Sequence, residues 1–280
     1  MDMFNDMNVC GAVAHNDDNS DAPVLPDAND SQGLLDYMVA VLCRRLQTPK
    51  AFKGGYLLNQ LLQEQSRMTH DIDFSISDEE GYEQVKQILS EIGDTFIQNG
   101  IIDRYAVKPT ITPTCSGGID FYDTRGSKVL GVDVGLHSLS WGITSYNFEF
   151  AVTDGFCVER MLSDKIIAIL SRKRFRRTKD LYDFWVLTNN FDFDYTELVS
   201  FIDKRGGAEW QNIPFKDEVL IEYEKAWSKL VLQTPSAKTL RKPEFAEVLQ
   251  QFYYVALAIK AGEQHRYWSH RSLTFKDSER

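Results

Sequence analysis

From His70 to Ile76 the chain alternates without a break, with Asp71, Asp73 and Ser75 to one side and Ile72, Phe74 and Ile76 to the other. A period of two with one apolar side dictates a half-buried strand. The fold must therefore contain a sheet with one face on a core. It must also tolerate two carboxylates leaving the other face of one strand, separated by a rise of about 6.6 Å. Like charges so placed repel unless something positive lies between them. Divalent metals do this in two-metal phosphoryl-transfer sites, where the ions sit roughly 3.5–4 Å apart. Asp-x-Asp alone is a loose motif, and Asp192-Phe193-Asp194 repeats it here with no glycine loop as companion.

The companion of Asp71 and Asp73 lies upstream. Lys53-Gly54-Gly55 directly precedes a predicted helix carrying Leu57, Leu58, Leu61 and Leu62. Adjacent glycines allow close approach of a ligand to backbone N–H groups, and the helix N-terminus favours phosphate. The pattern is not a Walker loop, because no Gly-Lys-Ser/Thr follows. A third carboxylate is expected on a neighbouring strand. In Val129–Leu136, Leu130, Val132 and Val134 share one face and Asp133 points to the other, with Asp120 as its competitor. Asp is depleted in strands, so its presence in an apolar run needs a reason, metal ligation or simply an exposed edge.

The rest of the chain divides by period. Residues 1–31 form an acidic leader, predicted to be disordered, with Asp2, Asp6, Asp17, Asp18, Asp21, Asp27 and Asp30 and no Lys or Arg before Arg44. Residues 32–153 read as an α/β domain. Its first helix is Gly33–Leu46, and a capping box at Ser77–Glu80 opens a helix that stops at Asn99-Gly100. Short strands follow at Tyr105–Ile111, Ile119–Tyr122, Val129–Leu136 and Asn147–Val152. Residues 154–280 read as helical, over Val158–Leu170, Lys179–Thr188, Tyr195–Lys204, Lys216–Leu230 and Pro243–Ala261. The net charge of −10 excludes a protein that coats nucleic acid non-specifically. A local basic run, Arg172–Arg177, suits an anionic acceptor or a plain helix end. Four scattered cysteines (Cys10, Cys43, Cys115, Cys157) read as free thiols, and no apolar run is long enough to span a bilayer, so a cytoplasmic protein is expected.

Four blocks in order carry a family resemblance: Phe52-Lys53-Gly54-Gly55-Tyr56-Leu57-Leu58, Arg67-Met68-Thr69-His70-Asp71-Ile72-Asp73-Phe74, Glu159-Arg160-Met161-Leu162-Ser163-Asp164-Lys165-Ile166-Ile167-Ala168, and Arg177-Thr178-Lys179-Asp180-Leu181-Tyr182-Asp183. Through them the chain resembles the AbiEii/AbiGii-type nucleotidyltransferase toxins. The resemblance implies an α+β fold with a nucleotidyltransferase-like mixed sheet and flanking helices, followed by an all-α C-terminal half. It implies Mg²⁺, or Mn²⁺ in its place, on Asp71 and Asp73, with triphosphate at Gly54-Gly55, Lys165 on nucleotide phosphates and Asp180 completing the site. Tyr56 stands where the family commonly has Thr or Ser.

The residues' own readings sit beside these. Asp133 is the third metal ligand and helps activate the acceptor hydroxyl. Arg67 either steadies the loop before the strand or reaches phosphate, His70 is polar filler, and Lys179 and Asp183 form an i,i+4 pair. The function expected is transfer of a nucleoside monophosphate from an NTP to an RNA or tRNA acceptor. The protein would act as toxin of a toxin–antitoxin or phage-defence pair with a cognate antitoxin. Small-molecule nucleotidylation and a non-catalytic binding module are the alternatives.

Overall fold

The computed structural model describes residues 23–62, 67–171, 177–230 and 242–277. Most of the acidic leader and of the basic run at Arg172–Arg177 therefore lies outside the described residues. A seven-stranded mixed sheet organises the chain. In sequence order its strands are β1 (Lys50–Lys53), β2 (Asp71–Ile76), β3 (Arg104–Lys108), β4 (Gly117–Tyr122), β5 (Lys128–Leu136), β6 (Ile143–Phe148) and β7 (Ala151–Phe156). Across the sheet they run β3-β4-β5-β2-β1-β7-β6. The pairs β2·β5 and β1·β7 are parallel and the others antiparallel. β3 stops at Lys108, short of the expected Ile111, because Pro109 has no N–H to give the ladder.

Alternation decides what each face meets. Phe52, Ile72, Phe74, Ile76, Ile119, Phe121, Leu130, Val132 and Val134 are buried on one face. They form one core with α1 (Ser31–Arg45) and α3 (Gly81–Gln98), the latter through Tyr82, Val85, Ile88, Leu89, Ile92 and Phe96. Between β1 and β2 runs α2 (Gly54–Leu62). The expected capping box does not form. α3 starts at Gly81, whose N–H donates to Asp78 Oδ1 at 2.9 Å, while Ser77 Oγ donates to Asp78 Oδ2 at 2.8 Å. A carboxylate outcompeted the hydroxyl for the end of the helix.

The C-terminal half is built from α4 (Val158–Leu170), α5 (Thr178–Asn190), α6 (Tyr195–Lys204), α7 (Asp217–Ser228) and α8 (Phe245–Ala261). They share a second core, with Leu162, Ile166, Phe184, Leu187, Leu198, Phe252 and Val255 buried, which also takes in Leu57 and Leu58 of α2 and Phe156 of β7. A small antiparallel sheet accompanies these helices: β8 (Phe193–Asp194), β9 (Tyr267–Ser269) and β10 (Thr274–Lys276), in the order β10-β9-β8. The second Asp-x-Asp of the chain lies here in structural work. Asp194 caps α6 by accepting the Glu197 N–H at 2.9 Å, and Asp192 accepts the His270 N–H at 2.8 Å.

Candidate active site

Register brings the acids together. Asp73 on β2 lies opposite Asp133 on β5, and Asp71 lies opposite Gly131, which in turn faces Asp120 on β4. Paired residues share a face, so Asp71, Asp73, Asp133 and Asp120 all project from the side away from the α1–α3 core. Asp133 stands in the same row as Asp73 and Asp120 one row further on. On the other flank Lys53 of β1 lies opposite Asp73.

The glycine turn closes on this row. Gly54 has φ +69°, a conformation that favours glycine, and a Cβ there would sit 3.0 Å from Asp73 Cγ. A Cβ on Gly55 would lie 3.1 Å from Arg67 Nη2 and 3.2 Å from Thr69 Oγ1. The two glycines thus seat α2's N-terminus directly against one catalytic candidate and one cation. Burial pushes the Asp73 carboxyl up to about 6, with Lys53 and Lys165 pulling against it. Burial likewise lowers Lys53, opposed by Asp164 and Asp73. Next along the same face, Ser75 Oγ and His137 Nδ1 are 3.0 Å apart. Burial, with Lys53, Arg205 and Arg160 nearby, depresses His137 to about 3, so its ring is neutral.

A second ionic cluster abuts the turn. Arg67 donates through Nε and Nη2 to Asp183 at 2.8 and 3.0 Å, and Lys165 donates to Asp183 at 2.7 Å and to Asp180 at 2.9 Å. Burial alone would raise Asp183, but Arg67 and Lys165 outweigh it and hold the carboxyl down at about 2. Two expectations change here. Asp183 is buried and bound to Arg67 and Lys165, so it makes no surface pair with Lys179. Arg67, weighed between loop support and phosphate, is committed to Asp183. Both follow from α5 turning Asp183 inward, to where a buried carboxylate must collect partners.

Tyr56 packs inward from the turn. Its side chain is fully buried, and its hydroxyl donates to Asp36 Oδ1 on α1 at 2.8 Å. Only its backbone remains available to a nucleotide at the turn. His70 is exposed, and its carbonyl accepts the Gly131 N–H at 2.9 Å. Three residues of the site region have no role assigned from sequence. Thr69 bridges the backbone of Asp71 with its hydroxyl at 3.2 and 3.3 Å. Lys108 donates to Asp133, and Lys128 lies 2.8 Å from both Asp71 and Asp120.

Among the described residues no group of three His, Cys, Asp or Glu side chains stands ready around an ion. The donor set nevertheless suits a hard divalent cation. Three carboxylates share two adjacent rows, and Asp71 Oδ1 is buried with no hydrogen bond of good geometry despite Lys128 nearby. Also among the described residues, no helix is long and apolar enough to cross a membrane, and Cys43, Cys115 and Cys157 are free thiols.

Comparison with known proteins gives the fold and the family. No curated protein matches the chain. Two solved structures from Helicobacter pylori share its fold. JHP933 has a TM-score of 0.51 at 16% identity, over 84% of this chain and 92% of that one. A putative nucleotidyltransferase has a TM-score of 0.50 at 17% identity, over 85% and 98%. The profile of the nucleotidyl transferase AbiEii toxin family of type IV toxin–antitoxin systems matches residues 37–253, most of the chain. The chain belongs to that family and is a nucleotidyltransferase.

Proposed function

We propose that the protein transfers a nucleoside monophosphate from an NTP to a hydroxyl of an RNA acceptor, of the tRNA class, and releases pyrophosphate. The reading rests on one observation: Asp73 and Asp133 face each other across β2 and β5, Asp71 stands one row away, and Gly54 is packed on Asp73. Asp71, Asp73 and Asp133 would hold Mg²⁺, or Mn²⁺ in its place. Bound there, the ion would neutralise triphosphate charge and ease ionisation of the acceptor hydroxyl. The acceptor oxygen attacks the α-phosphorus as the bond to the pyrophosphate oxygen breaks, and the acceptor proton passes to Asp133. The N–H groups of Gly54, Gly55 and Tyr56 receive the triphosphate at the start of α2, with Lys53 beside them.

Lys165, Arg67 and Asp180 take part through the same flank. Their ion pairs fix the turn, and Lys165 adds positive charge near Asp73. Residues 32–153 then form the catalytic domain and 154–280 a helical domain completing its nucleotide side. In the cell the protein acts in the cytoplasm as a toxin, in phage defence, restrained by a cognate antitoxin protein.

The test is incubation with each α-labelled NTP, Mg²⁺ and total tRNA. Label should enter RNA, and Asp71→Asn should lower transfer by about a hundredfold to a thousandfold, the scale for removing a central transition-state contact. Label in a small molecule instead of RNA, or full activity in that variant, would refute the assignment.

A further inference from the structure

The acidic face carries its own cations. Lys108 reaches Asp133 across Gly118, which stands between them in the β3–β4–β5 register. Lys128 bridges Asp71 and Asp120 at 2.8 Å each, across Gly131. Both arrangements are specified by backbone. Alternation alone would put Lys128 on the core face with Leu130 and Val132. A register shift between Phe121 and Tyr122 sets Lys128 opposite Tyr122 and so re-aims it to the acidic face. A Cβ on Gly131 would lie 2.6 Å from both Asp71 Oδ1 and Lys128 Cε, so a side chain there would break the bridge.

We propose that Lys108 and Lys128 are resident counterions of the metal-binding acids, and that a divalent ion displaces them. Lys128 then pairs with Asp120 alone, and Lys108 is freed to hold a phosphate of the acceptor. The inference rests on the reading of Asp71, Asp73 and Asp133 as metal ligands. Ammonium groups and a divalent cation compete for the same carboxylate oxygens and repel each other. Both lysines are about 38% exposed on long stems, so either ammonium group can move while much of its stem stays packed. Beyond them on the same face, Arg104 lies 4.0 Å over the ring of Tyr122, which is paired with Lys128. Cations and a half-buried aromatic in line from the acids suit a chain with phosphates and bases. They oppose a cationic small molecule. Binding of metal and of acceptor should therefore reinforce each other.

The experiment measures Mn²⁺ binding by electron paramagnetic resonance on the full chain, for wild type, Lys108→Met, Lys128→Met and Asp71→Asn. Anisotropy of a labelled single-stranded RNA follows, with and without Mn²⁺. Thermal melts confirm folding, and Lys→Gln variants replace any Met variant that fails. Each lysine variant should bind Mn²⁺ about twofold to fivefold more tightly, the scale of a half-exposed ion pair. Mn²⁺ should raise wild-type RNA affinity, Lys108→Met should lose most of that gain, and Lys108→Arg should restore it. If Asp71→Asn abolishes Mn²⁺ binding but neither lysine variant tightens it, or if Lys108→Met keeps the full gain, the counterion role is overturned and the metal reading stands. If Mn²⁺ binds wild type and Asp71→Asn equally, the metal reading itself falls.

Discussion

Two sets of aspartate–cation pairs flank the Gly54-Gly55 turn, and solvent separates them more than composition does. In Lys165–Asp183 the side chains are 12% and 1% exposed, and Arg67 completes the shell of Asp183. In Lys128–Asp71 they are 38% and 40% exposed. A buried pair whose oxygens are all occupied cannot exchange partners without leaving a bare charge in the interior. A half-exposed pair exchanges freely with water and ions. The first set therefore ties the segment before β2 to α4 and α5, and the second is a place where ligands compete.

The largest consequence falls on the buried set. Asp183→Asn keeps the shape but leaves Arg67 and Lys165 without their carboxylate. It should cost about 3–5 kcal/mol by urea unfolding. A loss under about 1 kcal/mol, the scale of a surface pair, would erase the distinction between the two regions.

Acid should next separate Asp183 from Asp73 of the acid row, because these two carboxyls move in opposite directions. Asp183 is held down at about 2, against about 3.9 for an unfolded carboxyl. Its stabilisation is complete above about pH 4 and is lost as pH falls toward 2, an effect of about 2 kcal/mol. Asp73 is raised to about 6, so its charge costs stability above that pH. Protonation relieves the cost as pH falls from about 6 to about 4, a gain of about 3 kcal/mol. Metal-free unfolding followed from pH 7 to pH 2 should show a rise and then a fall of similar size. Asp73→Asn should remove the rise alone. A monotonic curve in wild type would show that Asp73 is not buried as described.

How far the sequence reaches follows the same divide. Strict alternation placed Asp71, Asp73 and Asp133 on one face, and helical period located α1 and α4 to α8 within a few residues. What alternation could not show is a break in alternation. The shift at Phe121–Tyr122 leaves no mark in residue types, and without it alternation from Leu130 would turn Lys128 to the core face. β1 was invisible because Lys50-Ala51-Phe52-Lys53 is too short to show a period. β8, β9 and β10 are two or three residues each and owe their pairing to residues far away in the chain. Asp183 looked like a surface partner of Lys179 because spacing along α5 records neighbours on that helix, whereas its true partners come from Arg67 and α4.

The smallest effect tests the open set. Lys128→Met removes the cation between Asp71 and Asp120, two acids whose side chains are 40% and 21% exposed. In metal-free low-salt buffer the variant should lose about 0.2–1 kcal/mol. The loss should shrink as salt is raised to 1 M, where the Debye length is about 3 Å, because dissolved ions do what the ammonium did. The Asp183→Asn penalty should barely move over the same range, since screening does not reach a buried charge. A salt-independent loss of several kcal/mol for Lys128→Met would mean that the lysine is a fixed strut of the sheet, and a strut cannot yield its place to an incoming ion.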